Sequence, residues 1–597
     1  MLNKKKNSKK QTIDAFKFLL SYVTRYKISL FFGILFLIVV DFFQLIIPKF
    51  IQIILDSLSN EQLIKGIIVK NSIIILSLAI LMVILRFFWR FLIIKGSRKV
   101  EREIRKDMFV HLQQLSFSFY NRTKTGDLMA LMINDLNYIR MSAGPALIGT
   151  IDSIFLGSLT IAFMFSINIK LTLFSIIPLF IIAVFFLLWG KKIRDRFKKL
   201  QESFASISSF TQEIFSGIRI VKGFSQEKKE KNNFHEKCID YSNKNLDLAK
   251  AWGLLFPLVR FIASVSVIIY LSIGGIFTII NTITLGQFVQ FDFYIANLVW
   301  PMIAIGWVFN MLQQGIASTI RVMNLLNTKP EIFYKKLNKK ITKIEGNIKI
   351  KNLSFSYKKD KNPVLNNINL IVPKNSTLGI LGKHGSGKTT LINLLFRIFN
   401  VNNNTIFFDD NDINEIPVNI LRKSIGYIPQ EMLLFSDSIK NNILLGIDED
   451  QEDIIKNKIE YYSQIASFDT EVKELYNKYE TLIGERGVML SGGQKQRLSI
   501  ARALIFNPSI LILDDAFSSV DVRTERKIIK RMKKEIQNRT TIIVAHRIST
   551  IKDCDNIIVL ENGEIKEQGT HHELLKNGGY YSRLYELQRL KGDINSR

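Results

Sequence analysis

Long apolar runs separated by charged segments fill the first half of the chain, whereas short apolar runs alternate with helical stretches in the second. Six long runs, at about 28–55, 66–94, 140–165, 169–190, 256–280 and 287–312, each hold the ~20 residues that cross a bilayer as a helix. The polar segments 95–116 and 191–250 contain no proline, so they are predicted to continue those helices, since ~30 helical residues extend ~45 Å. Turns are expected at their tips, within Ser118–Asp127 and Phe215–Arg219. Ahead of the first run lie a lysine-rich tail (1–10), expected to be disordered, and a short interfacial helix (12–27). A polar linker, Asn327 to Glu345, ends the membrane part (28–326). Apolar strands are then predicted at 348–355, 377–381, 424–428, 510–513, 541–544 and 557–560, within a soluble α/β region (346–590) followed by a short tail (591–597). Strands alternating with helices imply a mainly parallel sheet with ligands at its strand ends.

Composition agrees with a membrane part joined to a soluble one. The 597 residues suit about three or four domains, and 44 phenylalanines with a mean hydropathy of +0.15 coexist with 22% charged residues. The net charge of +29 raises the question of nucleic acid, but its distribution answers it. Lysines crowd the tail (Lys4, Lys5, Lys6, Lys9, Lys10) and the segments 95–124 and 191–250, while the breaks near 57–70, 166–170 and 281–286 hold only Lys65, Lys70 and Lys170. That asymmetry is the positive-inside pattern of six crossings with both termini in the cytoplasm, and no nucleic-acid partner is expected. Cys238 and Cys554 offer neither a disulfide framework nor a metal pair. The first apolar run starts too late, is too long and lacks a cleavage site for a secretory signal. Charges inside the spans (Asp41, Arg86, Asp152, Arg260 and Asp292) are costly against lipid and are expected to face the bundle interior, to line a cavity or to pair; Asp292 lies near an outer end. Pro301 is expected to bend the last span.

The sharpest chemistry lies at Gly382-Lys383-His384-Gly385-Ser386-Gly387-Lys388-Thr389-Thr390, between the apolar run Leu378–Leu381 and a helical run. It fits G-x-x-x-x-G-K-[ST] in the strand–loop–helix setting that the pattern requires. Its glycines let successive N–H groups surround phosphates at a helix N-terminus. Lys388 would reach the β- and γ-phosphates and Thr389 would ligate Mg²⁺. The run Ile510-Leu511-Ile512-Leu513-Asp514-Asp515 supplies a buried strand ending in acids, with Asp514 placed to hold the same Mg²⁺. Together they predict a P-loop NTPase domain.

With Leu490-Ser491-Gly492-Gly493-Gln494-Lys495-Gln496-Arg497 the chain resembles the ATP-binding cassette transporters, whose signature motif this run reproduces. Further marks follow the family's order: Tyr357 as the aromatic that stacks on adenine, Gln430 in the Q-loop, Gly484-Glu485-Arg486-Gly487 like the exporters' X-loop, Ser519-Val520-Asp521 as the D-loop, and His546 at the switch-histidine position. The resemblance covers 346–590 closely and extends to the six spans. It implies an exporter-type half-transporter: an α-helical membrane domain of six long helices fused to an α/β P-loop NTPase domain. ATP and Mg²⁺ are the implied ligands, with Thr389, Gln430 and Asp514 at the metal. Two such chains would dimerise head to tail, so that Ser491, Gly492, Gly493 and Gln494 of one chain, with its D-loop Asp521, complete the phosphate site of the other. Segments 118–126 and 213–220 match the coupling-helix positions.

One residue departs from the family pattern. Glutamate, which positions or activates the attacking water, normally follows the Walker B aspartate, and here the position is Asp515. Moving a catalytic carboxylate by ~1 Å can cost ~100-fold in rate. With Gln430, His546 and the signature run intact, the resemblance implies the weakly hydrolytic subunit of a heterodimer with a second, homologous half-transporter. It would export drug-like or lipid-like amphipathic or hydrophobic compounds across the cytoplasmic (inner) membrane. The rivals are a homodimeric lipid or peptide exporter using Asp515 as base and, in another class, a mainly regulatory nucleotide-binding subunit. An importer is disfavoured because both domains are fused in exporter order, and a protease-bearing peptide exporter because only 27 residues precede the first span.

Overall fold

The computed structural model describes residues 2–59, 64–332, 341–357, 362–447, 452–484 and 490–594, which divide into two compact units. The first comprises residues 1–114 and 123–329, and its described residues form helices joined by short turns, with no strand among them. Among the described residues, five helical stretches are long and apolar enough to cross a membrane: Lys9–Leu58, Lys65–Gln114, Thr125–Ile167, Glu227–Ile279 and Leu285–Leu326. The expected fourth crossing opens the helix Ile169–Ser216, whose described apolar part is Ile169–Ile181.

Several helices run far past the apolar spans, as the proline-free polar segments require. Glu227–Ile279, at 53 residues, is about 80 Å long. The tips are short helices rather than simple turns: Phe117–Arg122 follows Ile64–Gln114, and Ile218–Gly223 follows Gly217, the C-cap of Ile169–Ser216. Two expectations are corrected. The lysine-rich tail is helical from Leu2, in a helix that reaches Val23 and buries Ala15 and Tyr22, whose hydroxyl donates to Asp107 at 2.7 Å. The third crossing is not one uniform helix. Gly144 takes φ −125°, ψ −81°, Pro145 restarts the helix at its first position, and single π turns interrupt it at Leu131–Asp135 and Asp152–Leu156. Proline suits that first position because the N–H it lacks has no intrahelical partner there.

The last helix begins with a capping box between Thr284 and Gln287. Its first turn is tied to the first crossing, because Asp56 accepts from the Thr284 hydroxyl (3.0 Å) and the Gly286 N–H (2.9 Å). The approach needs glycine: a Cβ at Gly286 would lie 2.5 Å from the Gln52 carbonyl.

The second unit comprises residues 330–597 together with Leu115–Arg122, in which the Phe117 ring meets Phe399 edge-on and the Ser118 hydroxyl bonds Glu331. Its described residues form ten strands: β1 (Ile348–Phe355), β2 (Leu365–Val372), β3 (Thr377–Gly382), β4 (Ile406–Phe408), β5 (Asn411–Asp412), β6 (Ile425–Ile428), β7 (Ile510–Asp514), β8 (Thr540–Val544), β9 (Asn556–Glu561) and β10 (Glu564–Gly569). The six-stranded sheet has the order β10-β9-β3-β8-β7-β6 and is parallel except for β10. Its central strands are covered on both faces: Ile510 and Ile512 of β7 join one buried cluster, Leu511 and Leu513 another. That double burial explains why they read as unbroken apolar runs. A second, antiparallel sheet, β2-β1-β4-β5, was not expected as a sheet, and β2, β4 and β5, like β10 of the first sheet, were not predicted as strands.

Candidate functional site

The sheet register brings four strand ends to one edge. Ile380 of β3 pairs with Val544 of β8, Val544 with Asp514 of β7, and Leu513 with Ile428 of β6. The residues just beyond them, the loop from Gly382, Gln430, Asp515 and His546, therefore converge. A cleft of about 220 Å³ is lined by His384, Gly385, Ser386, Gly387, Lys388, Thr389, Thr390, Gln430, Asp514, Asp515 and His546, with Val364 and Val544 as additions that the sequence reading lacked.

The loop's backbone explains its glycines. Gly385 and Gly387 have φ of +78° and +102°, conformations that L side chains avoid. A Cβ at Gly382 would lie 2.4 Å from the Leu560 carbonyl. Gly387 caps the helix Lys388–Leu395 without a side-chain hydrogen bond, so the first-turn N–H groups face the cleft unspent on a cap. The Lys388 ammonium closes the loop on itself, donating to the carbonyls of Gly382 (2.7 Å) and Lys383 (2.9 Å). Burial pulls its pKa below the ordinary lysine value, while Asp514 and Asp515 act the other way. Lys383 turns aside to an ion pair with Glu561 at 3.1 Å.

Across the cleft, Asp514 is 3% exposed and accepts from the Tyr427 hydroxyl at 3.4 Å. Burial pushes the Asp514 carboxyl above its usual range, and burial together with Asp514 raises the Tyr427 phenol. Asp515 follows with φ +51°, a left-handed conformation that aspartate tolerates better than most residues, and its N–H donates to the Val544 carbonyl at 2.9 Å. The His546 ring lies 4.8 Å from His384. Burial holds its pKa below 6.5, aided by Lys388 and opposed by Asp515. Tyr357 is half-exposed, packs edge-on against Phe355 and Phe399, and shares a 2.9 Å hydrogen bond with Thr390 at the head of the loop helix.

The signature residues do not line this cleft. Ser491 caps the helix Gly492–Ile505 in a reciprocal box: its N–H donates to Gln494 Oε1 (2.8 Å) and its hydroxyl accepts from the Gln494 N–H (3.3 Å). Gly492 and Gly493 open that helix beside Ser519, with a Cβ at Gly493 3.0 Å from the Ser519 carbonyl. Asp521 caps the helix Val522–Gln537 through the Thr524 N–H. Of the X-loop, Glu485, Arg486 and Gly487 lie outside the described residues.

Three supporting residues were missed. Gln496, buried at 2% exposure, donates to the Ser518 hydroxyl and accepts from the Ser519 N–H, each at 2.9 Å, joining the signature helix to the D-loop. Gln588, from the helix Tyr580–Ile594, brackets the histidine loop by donating to the His546 carbonyl and accepting from the Ile548 N–H, each at 2.9 Å. Glu525 holds Arg547 and Thr550, each at 2.7 Å. The signals were weak: a glutamine on the inner face of a helix, or far along the chain from its partner, has no spacing to announce it.

The cleft fits a nucleoside triphosphate with its cation. Positive-φ glycines, an uncapped helix N-terminus, one buried ammonium, and the Ser386 hydroxyl, which is buried without a hydrogen-bond partner among the described residues, together favour phosphate oxygens. No group of three or more His, Cys, Asp or Glu residues suited to a metal occurs among the described residues. A divalent ion here would draw on the Thr389 hydroxyl, the Gln430 amide and Asp514, and would supply charge neutralisation to the phosphates.

Comparison with known proteins agrees with that geometry. Residues 30–302 match the family model described as the ABC transporter transmembrane region, and 365–518 match that of the ABC transporter. The chain is 36% identical over 566 residues to the multidrug resistance-like ATP-binding protein MdlA of Buchnera aphidicola, covering 94% of this chain and 96% of that one. It is 34% identical over 560 residues to the ATP-dependent lipid A-core flippase of Desulfotalea psychrophila, covering 91% and 96%. Among solved structures, a bacterial Atm1-family ABC exporter with ATP bound shares the fold, with a TM-score of 0.77, 24% identity, and coverage of 93% and 98%. The chain belongs to the ATP-binding cassette transporter family, as an exporter half-transporter whose ATPase is coupled to transport across a membrane.

Proposed function

We propose that this chain is the weakly hydrolytic subunit of a heterodimeric exporter that moves amphipathic or hydrophobic, drug-like or lipid-like compounds out across the cytoplasmic membrane. Asp515 carries the reading: it is one methylene shorter than the family's glutamate, while the signature run beside it is complete. In this reading the loop from Gly382 to Thr390 binds ATP, Tyr357 stacks on its base, and Thr389, Gln430 and Asp514 hold Mg²⁺. Asp515, Gln430 and His546 address the attacking water and the γ-phosphate, slowly. Ser491 to Gln494, with Asp521, complete the faster site on a second, homologous half-transporter. Both termini and residues 346–590 lie in the cytoplasm, and six helices within 28–326 form the membrane domain. ATP held between the two chains favours the closed pair, and loss of its γ-phosphate removes that preference. The relatives named for multidrug resistance and for lipid A-core flipping support the substrate class and leave drug and lipid both open.

Purification decides the pairing. The expected result is that drug-stimulated ATPase activity requires co-expression with a second half-transporter and survives Asp515→Asn in this chain. A stable dimer of this chain alone, with exporter-like activity that Asp515→Asn abolishes, overturns the heterodimer and favours the homodimeric reading.

A further inference from the structure

The membrane unit buries a group of charges that the nucleotide chemistry leaves unused. Asp41, near the middle of the 28–55 span, is 4% exposed, and its Oδ2 is buried without a hydrogen-bond partner among the described residues. Asp152 opens the π turn Asp152–Leu156 near the middle of the 140–165 span, and its Oδ1 is likewise buried and unpartnered. The charged neighbours of Asp41 are Asp152 and Arg86. The Arg86 guanidinium donates to Gln44 Oε1 at 2.9 Å, and the Gln44 amide passes on to Asn297 at 2.9 Å, so its recorded donor goes to an amide and not to a carboxylate. The helix of the first crossing packs against both the helix that carries Arg86 and the π turn that opens at Asp152, so two carboxyl groups share one guanidinium and, with both ionised, the group is one positive charge short of balance. Unpaired carboxylates in a medium of low dielectric are costly, and π turns concentrate at functional sites.

The surroundings define what would restore that balance. Leu37 and Val40 of the first crossing, Met82 and Trp89 of the second, and Ile148 and Ile151 of the third form one apolar cluster, in which Val40 and Ile151 are the chain neighbours of Asp41 and Asp152. From the last helix the half-exposed Trp300 donates a side-chain hydrogen bond to Asp152, so that only Oδ1 of this carboxyl is left without a partner. An inorganic cation would find few further oxygen ligands among these side chains, whereas an organic cation would meet carboxylates for its head and aliphatic walls for its body.

We propose that Asp41 and Asp152, balanced by Arg86, form a mid-membrane site for the positively charged group of an amphipathic monocation. The site rests on the export reading and names the charge of the compounds carried. Arg86 limits it to one charge.

The test is equilibrium binding of tetraphenylphosphonium, and of a neutral fluorescent diacylglycerol, to the full-length chain in its assembled dimer in phosphatidylcholine nanodiscs. Asp41→Asn and Asp152→Asn are each expected to raise the Kd for the cation about tenfold, or ~1.4 kcal/mol, and to change its ratio to the neutral probe by the same factor. Arg86→Gln should act in the opposite direction, tightening the cation about threefold, a sign that loss of folding cannot mimic. Parallel losses for both probes, weaker cation binding in Arg86→Gln, or displacement of the cation by sodium chloride alone would overturn the site. ATP-dependent uptake of the two probes into inverted vesicles separates this from the underlying reading. If the unsubstituted transporter moves neither, export of amphipathic compounds fails; if it moves both without regard to Asp41 and Asp152, only the cation site fails.

Discussion

The phosphate loop and the signature run each end at a helix N-terminus, yet the chain treats the two ends in opposite ways. At Lys388–Leu395 the cap is Gly387, which offers no side chain, and the first-turn N–H groups are left for a ligand. At Gly492–Ile505 the cap is Ser491, and its own N–H is already engaged by Gln494. A helix N-terminus binds anions only with donors that nothing else has taken. The first half-site is therefore prepared within one chain. At the second, a phosphate contacting Ser491 N–H must displace the Gln494 carboxamide, and that exchange is available only when a partner brings the phosphate. The contrast gives physical content to the head-to-tail pairing proposed above, in which one end waits for ATP and the other for a second subunit.

Loss of the prepared end should be the larger effect. Lys388→Ala removes the buried ammonium and its two bonds to the loop carbonyls. Charge-assisted hydrogen bonds contribute about 1.5–3 kcal/mol each, so ATP binding to this chain should weaken by about 100-fold or more, as read by nucleotide titration. Transport by the assembled pair should fall much less if this chain carries the slow site. Complete loss of transport would show that this site is the working one.

The signature end depends on a supporting residue. Gln496→Leu strips Ser519 N–H of its acceptor and Ser518 of its donor, both within 2.9 Å, in a fully buried setting. Orphaned buried polar groups cost about 1–3 kcal/mol, so the unfolding free energy of the soluble region should drop by about 2 kcal/mol in a denaturant titration. ATP affinity at the loop should stay within about twofold of the starting value. Equal damage to loop binding would mean that the two ends are not independent.

Ser491→Ala probes the cap itself. Loss of an N-terminal cap costs about 1 kcal/mol, and the ATPase turnover of the paired transporter should fall about tenfold, with ATP binding to the isolated chain unchanged. An unchanged turnover would remove Ser491 from the partner's site.

How much of this was legible follows from the same physics. β7 and β8 were readable because strands buried on both faces must be apolar along their whole length, and the loop glycines because positive φ and close backbone approach leave few other residues. β2 was not: Leu365-Asn366-Asn367-Ile368-Asn369 reads as a loop, and only the edge position of the strand and the positive φ of Asn367 accommodate those asparagines. The two π turns were invisible inside an apolar run, because hydropathy records burial and not hydrogen-bond register, whereas the break at Gly144 had its signal in the Gly144-Pro145 dipeptide, which the apolar run outweighed. Arg397, 1% exposed and bonded to the carbonyls of Ile413 and Ile416, lies outside any motif. The occupation of the Ser491 cap by Gln494 was legible and unread, since Ser491-x-x-Gln494 is the capping-box spacing.

The smallest effect tests the electrostatics of the prepared end. Burial, Lys388 and His384 all favour neutral His546, and Asp515 opposes them. Below 6.5 the unfolded chain takes up a proton that the folded chain resists, so the unfolded state binds more protons there and stability falls as pH drops through that window. For the same reason the ATPase activity of this chain's own site, isolated by pairing the chain with a partner whose own site is inactivated, should keep its acid limb below pH 6.5 in a profile of kcat/KM against pH, which reports the nucleotide-free site. His384→Asn removes one lowering influence 4.8 Å away and leaves burial, the largest, in place. The limb should therefore move upward and still remain under 6.5. A limb at or above 6.5 before substitution would take His546 out of the titrating role, and a downward move after it would mean that His384 acts on this edge by something other than its charge.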